Sequence, residues 1–180
     1  MKEVILGVTG SIAAYKAAEI ANQLTKSEIS VHTILTAAAS KFITPLTFQT
    51  LTKNKTYTDM FEELIYSDVR HISLAQRADC VVIAPATANI IGKIANGIAD
   101  DMLSTVVMAV RDTPILICPA MNTAMYENPI TQANISRLTN LGYRFIEPKS
   151  ARLACGDVGK GALADVETIV ESIQRALEVA

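Results

Sequence analysis

Val4-Ile5-Leu6-Gly7-Val8-Thr9-Gly10-Ser11-Ile12-Ala13 opens the chain with an apolar run and a glycine-bearing turn. The run reads as a strand buried on both faces. Ala13, Ala17, Ile20 and Leu24 then recur at helical spacing. Working outward, the alternation repeats. Residues 31–35, 79–84, 115–118 and 143–146 read as further strands. Residues 40–51, interrupted at Pro45, and 71–78, 87–95, 101–110 and 129–141 read as helices. Gly142 follows the last of these at the position where a left-handed residue ends a helix. Asp165 caps a final helix with Val166, Ile169, Val170, Ile173 and Leu177 on one face. Strands alternating with helices predict an α/β fold: a doubly wound, mostly parallel sheet in a three-layer sandwich, flavodoxin-like or Rossmann-like.

The chain has 180 residues, 50% of them hydrophobic and 19% charged, with a net charge of −2. That length suits a single domain over residues 1–180 with a sizeable core. No Lys/Arg cluster offers a nucleic-acid footprint. Met1-Lys2-Glu3 leads into a first strand rather than a signal peptide, and no apolar stretch approaches a membrane span. Cys80, Cys118 and Cys155 are scattered and form neither a disulfide framework nor a metal-ligand spacing. No metal is expected, and a reducing, cytoplasmic setting is. Alanine is frequent and tryptophan absent, so part of the apolar excess suits an oligomer interface. There is no internal repeat or linker, and a second domain beyond the last helix is not expected. Residues 52–70 and 147–164 are long for simple connections. The second reads as a flap over a site.

Four segments carry candidate chemistry. In the first turn, Gly10, Ser11 and Ile12 precede a helix whose N–H groups suit a phosphate. A plain turn with Ser11 as helix cap weighs evenly against that. The glycine pattern of a dinucleotide fold is incomplete, and the second strand ends Thr33-Ile34-Leu35-Thr36 without an acidic residue. A mononucleotide therefore fits better than an adenine dinucleotide. The second segment, Pro85-Ala86-Thr87-Ala88-Asn89, matches Pro119-Ala120-Met121-Asn122: strand, proline, small residues, asparagine. Two such strand ends form one crevice. The Asn122 amide can donate to a carboxylate without titrating, or cap the next helix. Ser104 and Thr105 place hydroxyls near the start of a nearby helix. Third, His71 has the side chain best matched to proton transfer near neutral pH, although a lone histidine is more often structural. Fourth, Cys155 stands among Gly156, Gly159 and Gly161. Its thiol can donate a proton or attack an electrophile, or be incidental in a surface loop.

Taken in order, these segments resemble the homo-oligomeric flavin-containing cysteine decarboxylases over essentially the whole chain. The most specific parts are Pro119-Ala120-Met121-Asn122-Thr123-Ala124-Met125 and Ala154-Cys155-Gly156 with its glycines. Thr87 replaces the serine of the family's Pro-Ala-Ser-Ala-Asn segment, and Tyr126 stands where the family usually has tryptophan. The resemblance implies an FMN-dependent carboxy-lyase that converts 4′-phosphopantothenoylcysteine to 4′-phosphopantetheine in coenzyme A biosynthesis. It implies FMN contacts at Gly10, Ser11, Ile12, Thr36, Thr87, Ala88, Asn89, Ser104 and Ala120. It implies catalytic roles for His71, Asn122 (substrate carboxylate) and Cys155 (proton donor), and a homotrimer, or a dodecamer built of trimers, with FMN at a subunit interface. Lys160 and Arg70 are candidates for the substrate phosphate. The Cys155 loop weighs against a peptidyl-cysteine decarboxylase, which needs no proton donor for re-reduction. Asn122 and Cys155 have no purpose in a flavin prenyltransferase, and their retention with His71 weighs against a non-catalytic flavin-binding regulator. The weak net charge does not suit an electron-transfer flavodoxin.

Overall fold

The computed structural model describes residues 1–61, 69–152, 156 and 158–179. β1 (Glu3–Val8) leads through a turn into α1 (Ala14–Lys26), then β2 (Ser30–Leu35). A short 3-10 turn at Ala39–Lys41 and α2 (Pro45–Thr52) precede β3 (Thr56–Tyr57) and α3 (Arg70–Arg77). β4 (Cys80–Ala86), α4 (Ala88–Ala95), α5 (Met102–Ala109) and β5 (Ile115–Pro119) follow. α6 (Thr123–Glu127), α7 (Pro129–Asn140), β6 (Arg144–Phe145), β7 (Lys149–Arg152), β8 (Val158–Ala162) and α8 (Val166–Val179) complete the chain.

Six strands pair in parallel in the order β3-β2-β1-β4-β5-β6. That is the doubly wound arrangement of the sequence expectation, with one strand more. β3 has two residues, too few for any periodicity to register. Without that edge stub, the remaining strands run in the flavodoxin order. Successive strand residues point to opposite faces. Val4, Leu6 and Val8 therefore pack with Ala17, Ile20 and Leu24 of α1 and with Ile169 and Ile173 of α8. Ile5, Val81 and Ile83 pack with Leu74, Ile90, Leu103, Val106 and Leu138 from α3, α4, α5 and α7. Helices on both faces explain why each central strand is apolar throughout rather than alternating.

Three local expectations are corrected. Residues 40–51 are not one helix: Pro45 occupies the first turn of α2, where its missing N–H costs nothing. Ser11 does not cap α1. The helix starts at Ala14 with Ala13 at its cap, and Ser11 Oγ only accepts from the Ala13 N–H at 3.3 Å. Asp165 precedes α8 as expected, and its carboxylate is paired with Lys149. The segment 147–164 is not simply a loop, because β7 and β8 pair antiparallel within it. Among the described residues no helix is long and apolar enough to cross a membrane.

Gly7 marks the tightest contact between β1 and the α5 side of the core. A Cβ there would lie 2.5 Å from Cδ1 of Leu103, which is 1% exposed. Gly7→Ala is expected to destabilise the protein by about 2 kcal/mol through overpacking, seen as a lower urea midpoint at unchanged m-value.

Candidate active site

The carboxyl ends of β2, β1, β4 and β5 lie side by side, and each is followed by a loop bearing candidate residues. Thr36 follows β2. Gly10, Ser11 and Ile12 follow β1. Thr87, Ala88 and Asn89 follow β4, and Ala120 and Asn122 follow β5. Strand order reverses between β1 and β4, which is where open α/β sheets open a crevice for ligands.

Backbone hydrogen bonds join these loops. The Thr36 N–H donates to the Val8 carbonyl at 3.1 Å, and the Ala120 N–H donates to the Ala86 carbonyl at 3.0 Å. Thr9 is 2% exposed; its hydroxyl donates to the Pro85 carbonyl at 2.7 Å and accepts from the Thr87 N–H at 3.0 Å. Donor and acceptor capacity of that hydroxyl are both used, so its burial carries no desolvation penalty. A Cβ on Gly10 would lie 2.4 Å from Cβ of Ala38, so the loops after β1 and β2 touch only because Gly10 has no side chain.

Asn122 serves two purposes. Its Oδ1 accepts from the Ala124 N–H at 2.8 Å and caps α6. The cap fixes the oxygen against the helix and turns the Nδ2 edge of the amide the other way. Asn122 also lines a concavity of about 460 Å³ with Ser11, Ile12, Ala120 and two cations, Lys16 and Arg152. Neither cation pairs with a carboxylate among the described residues, whereas Lys160 pairs with Glu147 at 2.5 Å. Thr9 and Lys16 were not singled out in the sequence. A threonine in a turn carries no signal of the partners it will find 76 residues later.

The other candidates lie apart from this concavity. Thr36 lines a smaller one of about 200 Å³ with Thr58, Asp59 and Asp101. Ala88 and Asn89 line a third, of about 510 Å³, with Lys93, Met125 and Asn128. Thr87 caps α4, accepting from the Ile90 N–H at 3.4 Å. Ser104 is buried, and its hydroxyl belongs to a reciprocal cap: the Ser104 N–H donates to Asp101 Oδ1 at 2.8 Å and the Asp101 N–H donates to Ser104 Oγ at 3.1 Å. Burial works to raise the Asp101 carboxyl, but the Ser104 amide, the Lys93 ammonium and the Ser104 hydroxyl together hold it below its ordinary value. His71, the second residue of α3, is half-buried and does not line the Asn122 concavity. Cys155 lies outside the described residues. No group of three or more potential metal ligands occurs among the described residues, and Cys118 is a buried core thiol pushed well above the usual range by burial.

A Flavoprotein family model matches residues 1–178. The chain belongs to the Flavoprotein family. It is 49% identical over 177 residues to a probable phosphopantothenoylcysteine decarboxylase of Streptococcus mutans, covering 98% of this chain and 99% of that one. A solved PPC decarboxylase mutant complexed with pantothenoylaminoethenethiol superposes with a TM-score of 0.91 at 34% identity, covering 98% of both chains. The FMN binding protein AtHal3 superposes with a TM-score of 0.88 at 34% identity, covering 99% of this chain and 98% of that one. The chain spans less than half the length of bifunctional coenzyme A biosynthesis proteins that it also matches, 43% for that of Bacillus subtilis.

β8 closes one side of the Asn122 concavity through close backbone contact. A Cβ on Gly161, whose φ is +148°, would lie 2.3 Å from the Met121 carbonyl oxygen. Gly161→Ala is expected to displace β8, raising the exchange rate of the Met121 amide hydrogen by about tenfold and lowering stability by about 1–2 kcal/mol.

Proposed function

We propose that this Flavoprotein-family chain is an FMN-dependent carboxy-lyase acting on 4′-phosphopantothenoylcysteine and yielding 4′-phosphopantetheine in coenzyme A biosynthesis. The observation that carries the reading is the position of Asn122, with its amide fixed by the α6 cap, in the same concavity as Ser11, Ile12 and Ala120. The likeness to phosphopantothenoylcysteine decarboxylases over nearly the full length of the chain supports it.

The residues present suit a flavin mononucleotide. Four adjoining loops offer small side chains, so backbone N–H groups can approach a flat ring, and Gly10 lets the loop after β1 close against Ala38. Gly10, Ser11, Ile12, Thr36, Thr87, Ala88, Asn89, Ser104 and Ala120 are the residues assigned to hold it. Bound FMN supplies the two-electron oxidation of the substrate thiol and the later return of hydride. Oxidation to the thioaldehyde places an electron sink β to the carboxylate, so the C–C bond pair left by CO2 is delocalised into an enethiolate. Asn122 holds the carboxylate by an N–H donation and transfers no proton. His71 acts as acid/base near neutral pH. Cys155 delivers the proton that, with hydride, turns the enethiolate into the saturated thiolate, which takes a second proton from solvent to give the thiol.

His71 and Asn122 do not share a concavity within one chain. This supports a homotrimer, alone or within a dodecamer, in which a neighbouring copy completes the site, and exposed Ile12, Tyr15, Phe42 and Leu46 offer apolar surface for it. The reading also places the enzyme in the cytoplasm.

The deciding experiment incubates purified protein with phosphopantothenoylcysteine and follows CO2 and product mass. A yellow, flavin-loaded protein that releases CO2 and yields 4′-phosphopantetheine is the expected result; a colourless protein that cannot be reconstituted with FMN overturns the reading. Cys155→Ser is expected to release CO2 but to accumulate the unsaturated enethiol, with dioxygen as the terminal oxidant. Normal product from that variant contradicts the role given to Cys155. Asn122→Asp keeps an equally good helix cap and so is expected to melt within about 2 °C of wild type. Turnover falls by about a hundredfold or more, because the new carboxylate repels that of the substrate.

A further inference from the structure

β8 runs alongside the stretch that carries Asn122, and something must hold it there. The backbone contact is one of shape. A Cβ on Gly159 would lie 2.4 Å from Thr123 Oγ1, and that hydroxyl is buried against the strand with no hydrogen-bond partner. The Met121 N–H donates to the Gly161 carbonyl at 2.9 Å and ties the front of this seat. An orphaned hydroxyl works against the contact rather than for it.

At the back of the seat three side chains converge. Tyr126 of α6 is 6% exposed, and its hydroxyl donates to Glu147 Oε2 at 3.2 Å. Lys160, between the two glycines of β8, donates to the same oxygen at 2.5 Å, and its Nζ lies 5.4 Å from the centre of the Tyr126 ring. An isolated surface ion pair contributes little. Here the pair is anchored on a buried phenol whose hydroxyl needs an acceptor, and the ammonium also meets the face of its ring. The Lys160 ammonium and the Tyr126 hydroxyl keep the Glu147 carboxyl below its ordinary range against the effect of burial. The hydrogen bonds therefore act on the charged form.

We propose that Tyr126, Glu147 and Lys160 are positioning residues: they lock β8 onto α6, and through the Met121–Thr123 backbone they set the direction of the Asn122 amide toward a substrate carboxylate. The cluster touches neither end of the Asn122 side chain. Its effect passes through the helix whose cap Asn122 forms. This deepens the decarboxylase reading and rests on it for the ligand, though not for the mechanical link.

Two measurements on the FMN-loaded protein test it. The first is hydrogen exchange at the Met121 amide. The second is the affinity for two probes: phosphopantothenoylserine, which keeps the carboxylate but not the oxidisable thiol, and 4′-phosphopantetheine, which has no carboxylate. Tyr126→Phe and Glu147→Gln are each expected to speed Met121 exchange and to weaken the serine probe by about fivefold, the effect of one lost hydrogen bond of this kind. Phosphopantetheine affinity should stay within about twofold. Equal weakening of both probes, or faster exchange with unchanged affinity, reduces the cluster to a structural role and overturns the proposal. Unchanged exchange overturns it as well. Should the wild type bind neither probe, the decarboxylase reading fails, and unchanged Met121 exchange still separately sinks the mechanical link. Glu147, whose side chain is 64% exposed, provides a variant that folds even if position 126 tolerates no change.

Discussion

At the point where strand order reverses, the Thr9 hydroxyl donates to the Pro85 carbonyl and accepts from the Thr87 amide. Pro85 stands near the end of the neighbouring strand β4, and Thr87 caps the helix that follows. A crevice between two diverging loops tends to collapse or splay unless the groups at its floor are paired. Thr9 pairs them with one side chain, its hydroxyl both donating and accepting. The other links repeat the theme with backbone alone: Val8 with Thr36, Ala86 with Ala120, Met121 with Gly161. The four loops that carry the candidate residues thus form a continuous floor. Its rigidity comes from the sheet below.

Small residues let that floor work. Gly10 against Ala38, Gly159 against Thr123 and Gly161 against Met121 are all contacts in which an added Cβ would fall within 2.5 Å of a neighbour. The glycine backbone thereby approaches a neighbouring side chain at Gly10 and Gly159 and a neighbouring carbonyl at Gly161. Beside the β7–β8 pair, Tyr126 and Lys160 both donate to Glu147, and Lys149 pairs with Asp165.

Asn122 shows how one residue meets two demands without conflict. The oxygen of its amide caps the helix, and the residue lines the concavity. Cap and ligand contact were rival readings of the sequence; the structure shows the cap and sets the residue in the wall of the concavity. Ser104 is bound up in a local cap. A hydroxyl near a helix start was assigned to the cofactor, and in the structure it is buried within a reciprocal cap with Asp101.

The alternation of apolar runs with helical spacing was enough for the sequence to determine the doubly wound α/β class, because strands buried on both faces and helices buried on one leave distinct periodicities. The proline–asparagine turns after β4 and β5 were equally legible, since a strand end, a proline and a polar residue are local features. What lay beyond reach depended on partners distant in the chain. β3 is too short to show a period, β8 was hidden because its glycines read as flexibility rather than close approach, and Thr9 gave no sign of Pro85. Only the tertiary structure decided that Asn122, Ser11, Lys16 and Arg152 share one concavity while Thr36 and Asn89 line others. Sequence periodicity records which face of an element avoids water. Which loops then meet is set by strand order and by hydrogen bonds spanning dozens of residues.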